Sequence, residues 1–436
     1  MSDADPETIT MEREIPIRYH ADVAVIGGGM AGVCAACAAA DEGASVVLIE
    51  RFAVTGGMMT VGGVNNFCGE TAGQGAIFDE IIAGLEDFDA IAPYPGPYRD
   101  FETKRPFEHE ILMVVLQEIL LNHDVRVLLH TKFVDVCMDK ERVDACIVRG
   151  PSGPEGLRAK QFIDCTGEGE VAHLAGFPTM KGRPSDGRQL PMSMMFFVRE
   201  FGDETGVCQV PRGWFRTLEN REELPMTSIW GNGPHSKAIK VKVVDADSTD
   251  TESMTRAEIR GRRRMMEVLD YFQRHEDAGW YFDHCSPITG IREGRRIVGD
   301  YILTENDVRR GKEFDDGVAV GRFYIDAHDP TTDKRVAQIE SKDDRVVPPY
   351  HIPLRSLRAS VGSNLWMAGR CLSAEELAMA SARVATSGAM MGQAAGIAAA
   401  QAADQGCTCR DVESVSVRQR LEEGGAKLDL EWHDPQ

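Results

Sequence analysis

"DVAVIGGGMAGVCAACAAADEGASVVLIE", Asp22 to Glu50, decides the fold. The apolar run Ala21 to Ile26 leads into Gly27, Gly29 and Gly32 in GxGxxG spacing. An Ala-rich helix is expected from about Gly29 to Glu42, and a second apolar run, "ASVVLIE", ends in the acid Glu50. Strand, helix and strand within about 30 residues is the context in which this spacing holds a dinucleotide. Gly27 permits the tight turn out of the strand, Gly29 leaves backbone bare for a pyrophosphate, and Gly32 lets the helix settle on the sheet. Glu50 stands where a carboxylate binds ribose hydroxyls and would repel a 2'-phosphate, which disfavours NADP.

Working outward, "GAIFDEIIAGLEDF" and "FEHEILMVVLQEILLNH" read as helices. The strand "VRVLLH", the hairpin "KFVDVCMDKERVDACIVRG" and the strand "KQFIDCTG" complete a nucleotide-binding half. From about Met180 the character changes to loops, the strands "PMSMMFFV" and "KAIKVKVVD", a long charged helix from Thr255 to His275, and a pair of strands around "GIREGRRIVGDYIL". "VGSNLWMAG" and the Ala-rich helix "SGAMMGQAAGIAAAQAAD" then return the chain to the first half. The expected fold class is α/β, a Rossmann-like nucleotide-binding domain on a parallel sheet with an inserted α+β domain carrying a mixed sheet. The expected boundaries are a flexible segment over 1–17, a discontinuous nucleotide domain over 18–180 and 345–410, a substrate or cap domain over 181–344, and a C-terminal helix and tail over 411–436.

The formal net charge of −21 over 436 residues leaves no basic face for a phosphate backbone, so no nucleic-acid partner is expected. The dense basic run "RGRRRMME", Arg260 to Glu267, has acidic neighbours and reads as a solvated helix face. No segment is apolar and long enough to span a bilayer, and "MSDADPETIT" lacks the basic and apolar regions of a signal peptide, so a cytoplasmic location is expected. Eleven scattered cysteines do not form a disulfide framework and should be reduced and mostly buried.

The glycine motif alone does not separate NAD from FAD. "RFAVTGGMMT" adds Gly56 and Gly57, "IDCTGEGE" puts Thr166 and Gly167 at a strand end, and "LWMAGRCLSA" puts Gly369 and Arg370 at another. Three glycine-bearing stretches converging on one crevice suit a long dinucleotide. Together with "GIREGRRIVGDYILTENDV", "YHIPLRSL" and "AGRCLSAEELAMASARVATSGAMMGQAAGIAAA", in this order over nearly the whole chain, they resemble the bacterial FAD-dependent oxidoreductase family related to the glutathione reductase type of flavoprotein. The resemblance implies FAD, held in its ADP and pyrophosphate part by Gly27, Gly29, Gly32, Glu50, Gly56 and Gly57, and approached near its ribityl and pyrophosphate by Gly369 and Arg370. Arg370 stands where many flavoproteins of this type carry Asp. Met30, Ala31, Arg51, Met58, Val134, Thr166 and Gly167 complete the expected contacts. Gly388 and Gly392 open the last helix, whose N-terminus suits the flavin edge where charge builds on reduction; small residues for close helix packing explain them equally.

Among residues that could do chemistry, His351 in "PYHIPLRSL" is the leading candidate base, with a satisfied structural histidine as the alternative. Arg292, Arg295 and Arg296 with Glu293 offer forked donors for an anion, or else an Arg–Glu network tying two domains. His328 with Asp326 and Asp329 has the residue types of a metal site but reads as a turn, so no metal is expected. Met58 and Met59 receive no catalytic role. Cys68 lacks a near partner for a redox disulfide, Cys34 and Cys37 fall inside the first helix, Cys407 and Cys409 lack further ligands, and Cys371 lies beside the cofactor or simply packs. The expected activity is a dehydrogenase or oxidase taking hydride from a small polar, anionic substrate to flavin. A reductase working in the opposite direction and an FAD-binding RNA-modification or assembly protein are the alternatives. Expected partners are a small-molecule substrate, an unidentified electron acceptor and a second copy of the chain in a homo-oligomer.

Overall fold

The computed structural model describes residues 7–100, 103–200 and 209–433. β1 (Ile17–Ile26), α1 (Met30–Asp41) and β2 (Val46–Ile49) form the unit read from the opening stretch. β2 is buried throughout and β1 from Val23 onward, as parallel strands covered on both faces must be. Two helices follow, α2 (Ala76–Asp87) and α3 (His109–Asn122), then β3 (Arg126–Leu128), β4 (Lys132–Asp139), β5 (Arg142–Gly150) and β6 (Gly153–Asp164).

These strands form one seven-stranded sheet in the order β3-β2-β1-β6-β5-β4, with the strand Leu365–Met367 also beside β6. β6 is shared along its length. Gly153 to Arg158 pair antiparallel with β5, while Phe162 to Asp164 pair parallel with Leu365–Met367. The sheet is therefore closed by a strand from the far end of the chain. Its parallel strands β1, β2 and β6 and Leu365–Met367 all point the same way, so the loops carrying Gly27, Glu50, Thr166 and Gly369 gather at one edge. In open α/β sheets that carboxyl edge is where ligands bind.

The second sheet holds β7 (Met192–Glu200), β8 (Thr227–Gly231), β9 (Ser236–Val243) and β10 (Trp280–Cys285) in the order β8-β9-β7-β10. The charged helix α4 (Thr251–His275) begins four residues earlier than read and packs its apolar stripe on this sheet. All three pairings are antiparallel rather than mixed. β8 and β9 are joined by a short turn at Gly233, which only antiparallel neighbours allow. The expected pair of strands around "GIREGRRIVGDYIL" reduces to Arg296–Ile297 beside Thr179–Met180. Side chains replace the ladder here: Glu293 accepts from the Gly182 and Leu190 N–H groups, and Arg296 donates to the Gly182 carbonyl.

The Ala-rich helix α5 (Ala385–Gln405) returns to lie along α1. Small residues make this approach possible, because a Cβ at Gly392 or Gly396 would overlap the carbonyls of Ala31 or Ala35. α6 (Ser414–Glu423) follows. Of the expected terminal segments, residues 1–6 and 434–436 lie outside the described residues, and 7–16 form no element.

Candidate functional site

The carboxyl edge of the first sheet opens into one cleft. Gly27 turns there with φ of 106°, and a Cβ on it would collide with the backbone of Cys165. Gly29 is different, since a Cβ there would meet no protein atom within 4 Å and would enter open space. Gly56 bridges to Gly29, its N–H donating to the Gly28 carbonyl at 2.7 Å, and Gly57 lies so close that its own Cβ would sit 3.0 Å from the Gly29 Cα. Two stretches of bare backbone thus face each other at the start of α1. Glu50 is fixed in place, Oε2 accepting from the Gly28 N–H at 2.8 Å and Oε1 from the Phe52 N–H at 2.9 Å.

Of the expected cofactor contacts, all but Gly32, Val134 and Gly392 line this cleft. Gly32 and Gly392 are packing glycines: a Cβ at Gly32 would overlap the Gly27 carbonyl, and one at Gly392 would overlap Ala31. Val134 is corrected by strand alternation, because Phe133 turns into the cleft and Val134, 40% exposed, turns out. Gly388 meets no atom within 4 Å where its Cβ would stand and lines the cleft with Val384 and Ala385, so the first turn of α5 opens toward it. Arg370 is held by Glu168 at 3.0 Å, and Ser248 Oγ donates to the other oxygen of Glu168 at 2.6 Å. The Cys371 thiol accepts from the Gly167 N–H at 3.1 Å, and burial raises it well above the ordinary range, which makes it an inert packing group.

Beyond the glycine cradle the cleft ends against β9 and the GIREGRR segment. Lys240, Arg292, Arg383 and Asp326 line this end, with Asn66, Cys68 and Met195. Arg292 donates from Nη1 to the Pro191 carbonyl at 2.6 Å. Arg383 pairs with Asp326 at 2.9 Å, and His328 stands 3.1 Å from the other Asp326 oxygen. Burial pushes Asp326 up, yet His328, Arg383 and Arg292 outweigh it and hold the carboxyl well below its usual range. Burial, reinforced by Arg292, pushes the Lys240 ammonium down to about 8. No hydrogen bond from Lys240 Nζ is present among the described residues. Cys68 is raised by burial and is not a ready thiolate.

His351 is not at this site. Its strand, Tyr350–Pro353, pairs with Gly317–Gly321, and the ring is 1% exposed. The Phe314 N–H lies 3.1 Å and the Phe314 carbonyl 3.2 Å from Nδ1, and the Leu428 carbonyl 2.7 Å from Nε2, so a ring with backbone partners at both nitrogens fills a structural slot. Glu293 and Arg296 form a buried pair, while Arg292 alone of that segment's arginines lines the cleft. The residues missed in sequence are Lys240 and Arg383, while Asp326, read there as part of a turn, lines the cleft. Lys240 was signalled by alternation in "KAIKVKV", where Ile239, Val241 and Val243 enter the core and leave Lys240 and Lys242 on the opposite face.

Residues 22–421 match the family described as FAD dependent oxidoreductase. The chain belongs to that family. It is an enzyme, its cofactor is FAD, and the bare cradle between Gly29 and Gly56, the fixed Glu50 and the open first turn of α5 fit that group. Thiamine thiazole synthase of Aeropyrum pernix is 32% identical over 165 residues, 35% of this chain and 56% of that protein, so the chain spans about half the length of this curated relative. A geranylgeranyl bacteriochlorophyll reductase-like protein of Thermoplasma acidophilum superposes with a TM-score of 0.48 at 12% identity, covering 93% of this chain and 83% of that one. Anhydrotetracycline hydroxylase of Streptomyces rimosus superposes with a TM-score of 0.46 at 14% identity, covering 93% and 69%. No helix among the described residues is long and apolar enough to cross a membrane.

Proposed function

We propose that this FAD-dependent oxidoreductase oxidises a small organic anion, Arg292 gripping the anionic group and Lys240 taking the proton. The observation that carries this reading is the cationic end of the cleft. Arg383 forms the direct ion pair with Asp326, which among the described residues leaves Arg292 and Lys240 without a salt bridge of their own, facing the space beyond the glycine cradle. Among the described residues only one N–H of Arg292 is engaged, so the rest of its fork can bind a carboxylate bidentately. FAD, when bound, supplies the hydride acceptor. Lys240 has the residue type and the lowered affinity for its proton that a base working near neutral pH requires. The base role expected of His351 therefore passes to Lys240.

The test is anaerobic mixing of the yellow enzyme with a panel of hydroxy acids, amino acids, dicarboxylates and their methyl esters. Bleaching by an acid but not by its ester is the expected result, with Arg292→Lys weakening substrate binding far more than it slows the bound reaction. Equal bleaching by acid and ester would remove the anion from the proposal.

A further inference from the structure

We propose that His109, Glu110 and His284 form a binding site for a divalent transition-metal ion of the zinc class, where α3 meets β10. None of the three lines the FAD cleft. Each offers one ligand atom, and these atoms lie within 4.8 Å of one another. His109 Nε2 stands 3.6 Å and His284 Nε2 3.5 Å from the same Glu110 oxygen. A tetrahedral zinc ion with ligands at about 2.0–2.2 Å spaces them roughly 3.4 Å apart, close to both separations.

The rings are aligned for this. His109 and His284 both stack on Phe197, with centroids 4.8 and 4.3 Å away, and their own centroids are 5.4 Å apart with planes 28° from parallel. Were they on opposite faces of Phe197, their separation would approach the sum of the other two. They therefore lie over one face of Phe197, where their ligand atoms and that of Glu110 come within 4.8 Å of one another. His284 is also braced as ligating histidines are. Its Nδ1 is 3.1 Å from the Asp283 carboxylate, which is itself paired with Arg199 at 3.0 Å. With an ion bound at Nε2, Nδ1 would donate to Asp283, the carboxylate that stands behind a ligating histidine. Nε2 of His284 is buried with no hydrogen-bond partner among the described residues, and His109 is only 4% exposed. Two histidines and one carboxylate suit zinc or cobalt, with water completing the shell. An ion there would clamp α3 of the nucleotide-binding half to the second sheet.

The experiment uses the untagged full chain with its FAD, stripped with chelator, dialysed and titrated with Co(II), then with zinc as competitor. One Co(II) per chain is expected, with tetrahedral absorption bands to the red of the flavin that zinc abolishes, and zinc should raise the melting temperature. His284→Phe keeps an aromatic ring over Phe197 and removes both nitrogens, so it should lose the bands while keeping its FAD content and far-ultraviolet spectrum. Glu110→Gln, on an exposed side chain, should weaken binding without touching the core. Asp283→Asn should weaken it about 10–100-fold, the usual cost of losing the carboxylate behind a ligating histidine. The proposal is overturned if the wild type takes up no stoichiometric Co(II) at micromolar concentrations, or if the His284→Phe and Glu110→Gln proteins bind as it does.

Discussion

Lys240 and Lys242 stand two residues apart on the same face of β9, and burial pushes both down to about 8. Lys242 is tied to the carbonyls of Asp329 and Lys334 at 2.7 and 3.1 Å, whereas Lys240 has no such anchor among the described residues. Their ordinary value is 10.5, so between about 8 and 10.5 the unfolded chain holds more protons than the folded one. These two groups therefore make stability rise with pH across that window. Lys240→Met should raise the melting temperature at pH 7 yet slow flavin reduction by roughly 10²–10⁴-fold, the range for a positioned base. Lys242→Met, which strands two carbonyls, should lower it. The wild-type rate of flavin reduction should climb from pH 7 to 9 as Lys240 loses its proton, and a flat stopped-flow profile would take the base role from it. The glycines separate in the same way. Gly29→Ala places a methyl in open space and should fold normally with reduced FAD occupancy, whereas Gly32→Ala overlaps the Gly27 carbonyl and should lower the melting temperature itself.

At the scale of elements, the GIREGRR segment divides its work between the cleft and the fold. Arg296 and Glu293 pair out of contact with solvent, and Glu293 also holds the backbone of Gly182 and Leu190. Removing one partner leaves the other buried and unpaired. Arg296→Met should cost about 3–5 kcal/mol in denaturant melts, while Arg292→Lys leaves the midpoint close to wild type. If Arg292→Lys unfolds the protein as readily, that arginine also belongs to the brace. The first sheet was legible because β1, α1 and β2 carry a local code of burial periodicity and glycine spacing within one stretch. The far end of the cleft was not. Lys240, Arg292, Asp326 and Arg383 are brought together only when the second sheet docks, and no local spacing records that meeting. His351 misled for the same reason, since its decisive partner is the Leu428 carbonyl from the tail.

Across the whole molecule, the cleft is walled on one side by the carboxyl edge of the parallel sheet and on the other by a face of the antiparallel one, with Met195 and Lys240 contributed by the latter. The parallel β1-α1-β2 unit with its glycine turn occurs once among the described residues, and its Glu50 is already committed to the backbone of Gly28 and Phe52 beside the cradle. A flavoprotein that draws electrons from NADH through a domain of its own needs a second crevice of this kind, with bare glycine backbone at a helix N-terminus to receive another pyrophosphate. The second sheet has no such edge, because all its pairings are antiparallel and its cleft-facing side carries side chains instead of a glycine turn. On the proposed function, electrons should therefore enter from the substrate at the Arg292 end. Mixed anaerobically in a stopped-flow instrument, NADH and NADPH should leave the flavin oxidised on the timescale in which a bound substrate bleaches it. Bleaching by NADH within milliseconds would show a nicotinamide reaching the flavin through the substrate end itself and would turn the proposed direction of the reaction around.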